Sequence, residues 1–309
     1  MLPKILQPIA QRIAYIPQHF RLQKLRGFIK PLYEERMKYL SKPKSADEPE
    51  DHFQLMLRYS REHEPEEFNL YHLSNRVAIL ALGAYHQTYM AASNIVLNIV
   101  ASDAEYNTIS ELRSEIAKVL AKHDGKWTRV SAADMWKIDS ICRETLRIQQ
   151  FGGRALLRRV TAKGGVMFED GVRLPEGATV SIPSWSGQTD GDNFENPMKF
   201  DPFRYSRIRE EAAKNASSAD HKDEKSTAAP LSFVTTGVNF LPFGHGKNAC
   251  PGRFLVDVEL KMIVGYLVTH YDLKWPAEYN GVRPESKWMA EACMPPADGK
   301  IMVKRREKV

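Results

Sequence analysis

The sequence predicts a mainly α protein with a minor β region. Up to about residue 150, apolar residues return at helical spacings of three and four between polar breaks. From Gly152-Gly153 onward the chain changes to short runs punctuated by glycine turns, as small strands require. Of the 309 residues, 43% are hydrophobic and 27% charged, enough apolar side chain for a large core and too much for a disordered chain. The expected division is a helical part over about 1–150 and a part carrying the small strands, a glycine-rich loop and a last helix over about 151–309.

The spacing of Leu22, Leu25, Phe28, Ile29, Leu32 and Tyr33 predicts an amphipathic helix over Leu22 to Leu40. A polar linker, Ser41 to Asp51, leads to a short helix over Phe53 to Tyr59, and Glu62 to Glu67 forms a second break; both breaks read as surface loops. Asn69 to Val100 reads as one long helix, apolar on most faces around Val77 to Ala84 and therefore expected to be buried there. Ile109 to Leu120 predicts a further helix with Glu111 and Glu115 set for contacts one turn apart, and Ser131 with Asp134 reads as a capping box opening the next. That next helix carries Glu144 and Arg147. Gly164-Gly165, Glu169-Asp-Gly171 and Pro175-Glu-Gly177 mark turns between strands. Arg207 to Pro230, charged and aperiodic, reads as a long mobile loop or an insertion, and Pro251 to Tyr271 as the last helix, with Leu255, Val258, Met262 and Tyr266 along one face. Lys304-Arg-Arg306 reads as a solvated tail.

With 44 basic and 38 acidic residues the net charge is +6, spread along the chain and not gathered in an arm, so no nucleic-acid partner is expected. The longest mainly apolar run, Val77 to Tyr85, is far shorter than the roughly 20 residues that cross a bilayer. Pro3 and Pro8 interrupt the first residues, which do not read as a signal peptide. Three cysteines, Cys142, Cys250 and Cys293, are odd in number and never spaced as a pair, which argues against a disulfide framework or a structural zinc site. Cys142 and Cys293 read as structural.

Chemistry is concentrated at Phe243-Gly-His-Gly246-Lys247-Asn-Ala-Cys250-Pro-Gly252-Arg-Phe, a glycine-rich loop that places one cysteine just before a helix with Pro251 in its first turn. A helix N-terminus favours an anion and lowers a thiol pKa. Gly246 and Gly252 would let the backbone approach a flat ligand, Phe243 can pack beneath the thiolate, and a haem iron would fit that cradle. An ordinary buried cysteine beside a glycine turn is the other reading of Cys250. Glu144-Thr-Leu-Arg147 puts a carboxylate and a guanidinium on one helix face. Phe200-Asp-Pro202-Phe-Arg204-Tyr205 would supply a second guanidinium able to share Glu144, with a surface turn as its alternative.

In this order and at these separations the three motifs resemble the cytochrome P450 superfamily: its ExxR pair, its Pro-x-Arg meander and its FxxGxxxCxG haem loop. The style of the haem loop is similar to fungal secondary-metabolism members. The resemblance implies the P450 fold, with residues 1–309 as a partial domain corresponding to the later part of such an enzyme and lacking the N-terminal part. It implies haem b held by Cys250 as metal ligand, with Phe243, Gly246, Lys247 and Gly252 about the cofactor and Glu144, Arg147 and Arg204 as a structural network. It further implies a monooxygenase that hydroxylates an apolar small molecule, terpenoid or polyketide-derived, with O2 and electrons from NADPH-cytochrome P450 reductase. Full-length relatives sit on the endoplasmic reticulum membrane through an anchor that these residues do not provide. A truncated, catalytically silent remnant with weak or no haem binding is the competing expectation.

Asn69 to Val100 resembles the family's distal helix, with the core Gly83-Ala84-Tyr85-His86-Gln87-Thr88. His86 stands where relatives usually carry an acid and Gln87 where they carry threonine, leaving Thr88 one position on. Catalytic roles at the oxygen site fall to these three, with His86 readable equally as a core histidine or a proton relay. Asn248 occupies a position that is often basic, and Lys247 beside it would hold a haem propionate. Phe151 and Leu156-Leu157 resemble a substrate-facing segment, or pack simply in the core. Arg158 to Gly177 resembles the strand pair that follows. The basic residues at 304–306 could also form a reductase-docking face.

Overall fold

Proline lacks an amide hydrogen, so Pro8 is tolerated in a first helical turn, where no intrahelical bond is made. Helix α1 accordingly begins earlier than its periodic stretch and runs over Gln7–Leu40, with Pro17 and Pro31 inside it. The computed structural model describes residues 7–41, 43–218 and 231–307. They fall into two compact units, one ending at His86 and the next beginning at Gln87.

In the first unit, α2 (His52–His63) is capped by Asp51, whose side chain accepts the Gln54 amide, and α3 (Leu70–Ala81) by Asn69, which accepts that of His72. Leu40, Met56, Leu57 and Leu73 form its core. The Ser41 to Asp51 linker is not wholly a surface loop: Glu48 is buried, where it accepts hydrogen bonds from Gln54 Nε2 at 2.9 Å and from the Arg58 guanidinium. Beyond α2, Pro65–Glu67 is a 3-10 turn, and Arg76 of α3 ion-pairs with Glu64 and Glu67. A π-helical turn, Leu82–His86, follows α3. Burial around Val77 to Ala84 is not observed, since Ile79, Leu80, Leu82 and Tyr85 are exposed. Periodicity reports which faces are apolar and not what covers them, and α1 and α2 pack against other parts of α3.

The second unit opens with α4 (Gln87–Tyr106), followed by α5 (Thr108–Lys122), the short α6 (Arg129–Ala133) and α7 (Trp136–Ile148). The expected long helix is thus three successive segments, buried at Leu73 and Ser74 and then again from Met90 onward. The capping box is Thr128 with Ser131 and opens α6, whereas Asp134 closes that helix. Helix α7 is capped from outside: Glu115 of α5 accepts the amides of Lys137 at 2.6 Å and Ile138 at 3.1 Å. Its neighbour Glu111 pairs with the Lys137 ammonium. Thus both acids of α5 serve α7, a contact that spacing within α5 does not reveal.

Burial pushes the Glu115 carboxyl from its ordinary 4.5 up to about 7, against the opposing pull of those two amides. The folded state therefore holds this proton more tightly than the unfolded chain. Its stabilising share is complete below about pH 4.5 and is lost as pH rises through about 7. Glu115→Gln, compared with the unaltered chain in melting temperatures between pH 4 and 8, should flatten the curve across that window. An unchanged slope would contradict the assignment.

Four two-stranded antiparallel sheets complete the second unit among the described residues: β1 (Ala155–Arg159) with β4 (Thr179–Ile182), β2 (Val166–Met167) with β3 (Arg173–Leu174), β5 (Tyr271–Lys274) with β8 (Met302–Arg305), and β6 (Lys287–Met289) with β7 (Ala292–Met294). Gly164, Gly165, Gly171 and Gly177 all have positive φ, as their turns require. Lys304 and Arg305 are not a tail but part of β8, and Arg306 donates its amide to His270 O at 2.9 Å. Alternation there is too short to register as a strand. Helix α8 (Ser184–Gln188) follows β4, and α9 (Arg204–Ser218) occupies the first half of the stretch expected as a loop; residues 219–230 lie outside the described residues.

The last helix, α10 (Arg253–His270), starts after Pro251 with Gly252 as its cap. Leu260, Val264 and Val268 face inward, while Leu255, Met262 and Tyr266 are exposed. A Cβ on Gly265 would lie 2.3 Å from the Trp127 ring, so the glycine lets that ring lie against the helix. The core joins Ile95 and Ile99 of α4, Leu112 of α5, Ile138 and Ile141 of α7, and Leu260 and Val264 of α10.

Candidate functional site

Every residue of α7 from Ile138 to Arg147 is buried, polar ones included. Buried charge is costly unless paired, so each polar side chain must find partners on neighbouring elements. Glu144 and Arg147, both completely buried, form a two-pronged pair, Nε to Oε2 at 2.7 Å and Nη2 to Oε1 at 2.8 Å. Arg204, at the start of α9, donates from Nε to the same Oε1 at 3.1 Å, and the Asp201 amide joins it at 3.2 Å. The remaining Arg147 donor reaches the carbonyls of Gln188 at 2.7 Å and Pro197 at 2.6 Å, and the guanidinium lies over the Phe194 ring. One carboxylate thereby ties α7 to the 188–204 segment. The structure brings Glu144, Arg147 and Arg204 together.

Two further α7 residues, absent from the sequence reading, hold the segment that precedes the cysteine loop. Arg143 donates to Ser232 O at 2.6 Å and Thr235 O at 2.8 Å, and stacks 3.8 Å from the Phe240 ring centre. Asp139 accepts the Phe233 amide at 2.8 Å. Gln188 adds a third tie, accepting the Leu241 amide at 2.8 Å. The signal for these residues was a polar stripe at 139, 140, 143, 144 and 147, at helical spacing, which reads as a solvated face when burial is unknown.

The loop itself turns through Gly244 and Gly246, both at positive φ, and a 3-10 turn over Gly246–Asn248. The Cys250 amide donates to Phe243 O at 2.8 Å, which closes the loop, and the Phe243 ring meets Phe233 edge-on at 5.1 Å. Arg253 clamps the far side, donating to Cys250 O at 2.6 Å and Val234 O at 3.0 Å. A Cβ on Gly252 would stand 3.7 Å from Cys250 Sγ, so this glycine keeps the flank of the sulfur clear. At Gly246 a Cβ would meet no protein atom, and the residue's positive φ favours glycine there. Pro251 precedes the cap and lies outside the helix. Lys247 and Asn248 are exposed on the loop.

The three cysteines differ sharply in surroundings. Cys142 and Cys293 are buried, and desolvation pushes both thiols up. Cys250 is partly exposed on its braced loop. A partly accessible sulfur, a glycine-cleared flank and a loop tied at both ends suit a soft iron ligand, so these residues fit a thiolate-bound haem.

Gln87 and Thr88 lie at the start of α4, Gln87 exposed and Thr88 with a buried Oγ1 that has no hydrogen-bond partner. His86 ends the π-helical turn of the first unit and is partly buried. Phe151 and Leu157 are exposed, so neither packs in the core.

A mainly α chain with small sheets, carrying a braced cysteine loop on a buried Glu-Arg-Arg network, has the parts of a haem-thiolate protein. The cytochrome P450 family model matches residues 2–303, and the chain belongs to that family. It is 43% identical to the cytochrome P450 monooxygenase pbrC of Penicillium brasilianum and 42% identical to astC of Aspergillus terreus, in each case over 98% of this chain and 56% of the relative. Against the monooxygenase tenB of Beauveria bassiana the identity is 41%, over 99% of this chain and 56% of the relative. The chain spans about half the length of these curated relatives.

Proposed function

We propose that this chain is the haem-binding part of a monooxygenase that hydroxylates an apolar small molecule of secondary metabolism, terpenoid or polyketide-derived. The observation that carries the reading is the Cys250 loop, braced by Phe243, Arg253, Arg143 and Asp139 around a partly exposed sulfur. Cys250 is the iron ligand of haem b, and Lys247 holds a propionate in place of the basic residue that Asn248 replaces. When bound, the haem supplies activation of O2 with two electrons and insertion of one oxygen atom into the substrate.

This chain's own residues set the conditions. Glu144, Arg147 and Arg204 keep the 188–204 segment against α7, which fixes the floor on which the loop is built. Phe243, Gly246 and Gly252 shape the loop around the cofactor. The Thr88 hydroxyl, buried without a partner, is a donor free to move a proton at Oγ1, and His86 is the second candidate for proton delivery. NADPH-cytochrome P450 reductase supplies the electrons, at the endoplasmic reticulum membrane; no helix among the described residues is long and apolar enough to cross a membrane. Residues 1–309 act as one partial P450 domain. A silent remnant is favoured by Gln87 and Asn248, which depart from the family pattern.

Turnover of a panel of apolar substrates, with reductase and NADPH or with peroxide alone, tests the reading. Oxidation dependent on reductase is expected. Oxidation with peroxide only would replace the monooxygenase by a peroxygenase, and no oxidation under either condition would favour the remnant.

A further inference from the structure

Helices α7, α9 and α10 share a second buried ion cluster that the Glu-Arg-Arg network does not include. Asp139 of α7 is 3% exposed and Lys261 of α10 is 2% exposed. Lys261 Nζ donates to Asp139 Oδ1 at 2.7 Å and ion-pairs with Asp257 at 2.8 Å, one turn back on its own helix. Arg209 of α9 donates to Asp139 Oδ2 at 2.9 Å, and the Phe233 amide donates to the same oxygen at 2.8 Å. Two carboxylates meet two cations, so the cluster is neutral. Burial would strip the Lys261 proton, but Asp139 and Asp257 outweigh it and hold the ammonium above its ordinary range.

The cluster's position relative to Cys250 separates it from ordinary helix packing. Upstream of the cysteine, Asp139 fixes the Phe233 backbone, the Phe233 ring lies edge-on to Phe243, and Phe243 O takes the Cys250 amide. Downstream, Lys261 lies on α10, whose first residue, Arg253, follows the cysteine by three positions and clamps its carbonyl. Both arms of the cysteine loop are therefore referenced to one carboxylate on α7. Glu144, about one and a half turns along, instead serves Asp201 and Arg204.

We propose that the Asp139–Lys261 pair is a positioning device for the haem ligand: it sets the register between α10 and the 233–243 segment and so holds Cys250 Sγ where it can ligate iron. This rests on the reading of Cys250 as that ligand. Asp139 and Lys261 touch neither the cofactor nor a substrate in this scheme and act only through the loop. Removing the ammonium leaves Asp139 with Arg209 and the Phe233 amide, so the upstream arm keeps its tie to Asp139 while α10 loses its own tie to that carboxylate.

The test compares Lys261→Met and Lys261→Arg with the unaltered full chain, each supplied with haem, reduced and saturated with carbon monoxide. Spectra are taken well below each protein's melting point, with far-UV circular dichroism to establish that the helices persist. In Lys261→Met the ratio of thiolate-type (red-shifted) to non-thiolate Soret absorption should fall on the order of tenfold, a coupling of the size that contacting residues show. Lys261→Arg should restore most of it. Should Lys261→Met fail to fold, Asp139→Asn with Lys261→Met removes both charges while leaving an acceptor for the Phe233 amide, and the same fall is expected. An unchanged ratio in folded variants, with only a lower melting temperature, would overturn the positioning role alone. An unaltered chain that never shows the thiolate-type band would overturn the ligand assignment and this proposal with it.

Discussion

Glu144→Ala should cost about 3–5 kcal/mol, the range for breaking a buried ion pair by removing one partner. The reason is the surroundings of Arg147: it is fully buried, two of its donors go to Glu144, and only the Gln188 and Pro197 carbonyls remain when the carboxylate is gone. Arg204 loses its carboxylate partner as well, and the Asp201 amide its acceptor. Since domains are typically stable by only about 5–15 kcal/mol, such a loss takes much of the margin. Urea unfolding followed by tryptophan fluorescence should show the midpoint falling steeply. Arg147→Lys should fare little better, because an ammonium cannot span both carboxylate oxygens and two carbonyls as the planar fork does. A shift within about 0.5 kcal/mol, the range usual for surface substitutions, would contradict the burial and pairing of this network.

Cys250→Ser should have the opposite profile, a large chemical effect with little effect on the fold. The loop is closed by the Cys250 backbone, its amide on Phe243 and its carbonyl under Arg253, and neither bond involves the sulfur. The side chain is partly exposed, so an oxygen in its place leaves no cavity. The melting temperature should stay close to that of the unaltered chain while the thiolate-type absorption of the haem-loaded protein disappears. Retention of that absorption would remove Cys250 as the ligand and direct attention to Cys142 or Cys293, both buried and poorly disposed to ionise.

How far the sequence could be read differs from element to element, for physical reasons. Helices α5 and α10 were legible from spacing, and the strand region from its glycine turns, because these signals are local. The ExxR pair, the Pro-x-Arg meander and the cysteine loop were legible as motifs, and the structure shows what the motifs alone left open, namely which atoms of Glu144, Arg147, Asp201 and Arg204 meet. Asp139, Arg143 and Lys261 were not legible. A charged residue on a helix is ordinarily solvated, and only tertiary placement tells that these three are enclosed. For the same reason Glu115 read as one half of an intrahelical pairing when it caps α7. The largely exposed stretch from Ile79 to Tyr85 erred in the other direction, because an apolar face states what a helix is able to bury and not what lies against it. Helix α9 was missed because most of its residues are charged, alanine or serine, and large apolar side chains, which carry the visible period, are few.

The central claim, a cysteine loop organised to bind haem through the Cys250 sulfur, is tested most directly by one spectrum: the purified chain supplied with haem, reduced and exposed to carbon monoxide. A strongly red-shifted Soret band is the predicted result, since thiolate donation to iron produces it and the loop presents one partly exposed thiol. Absence of haem uptake, or a band at the blue-shifted position of a neutral ligand, would contradict it.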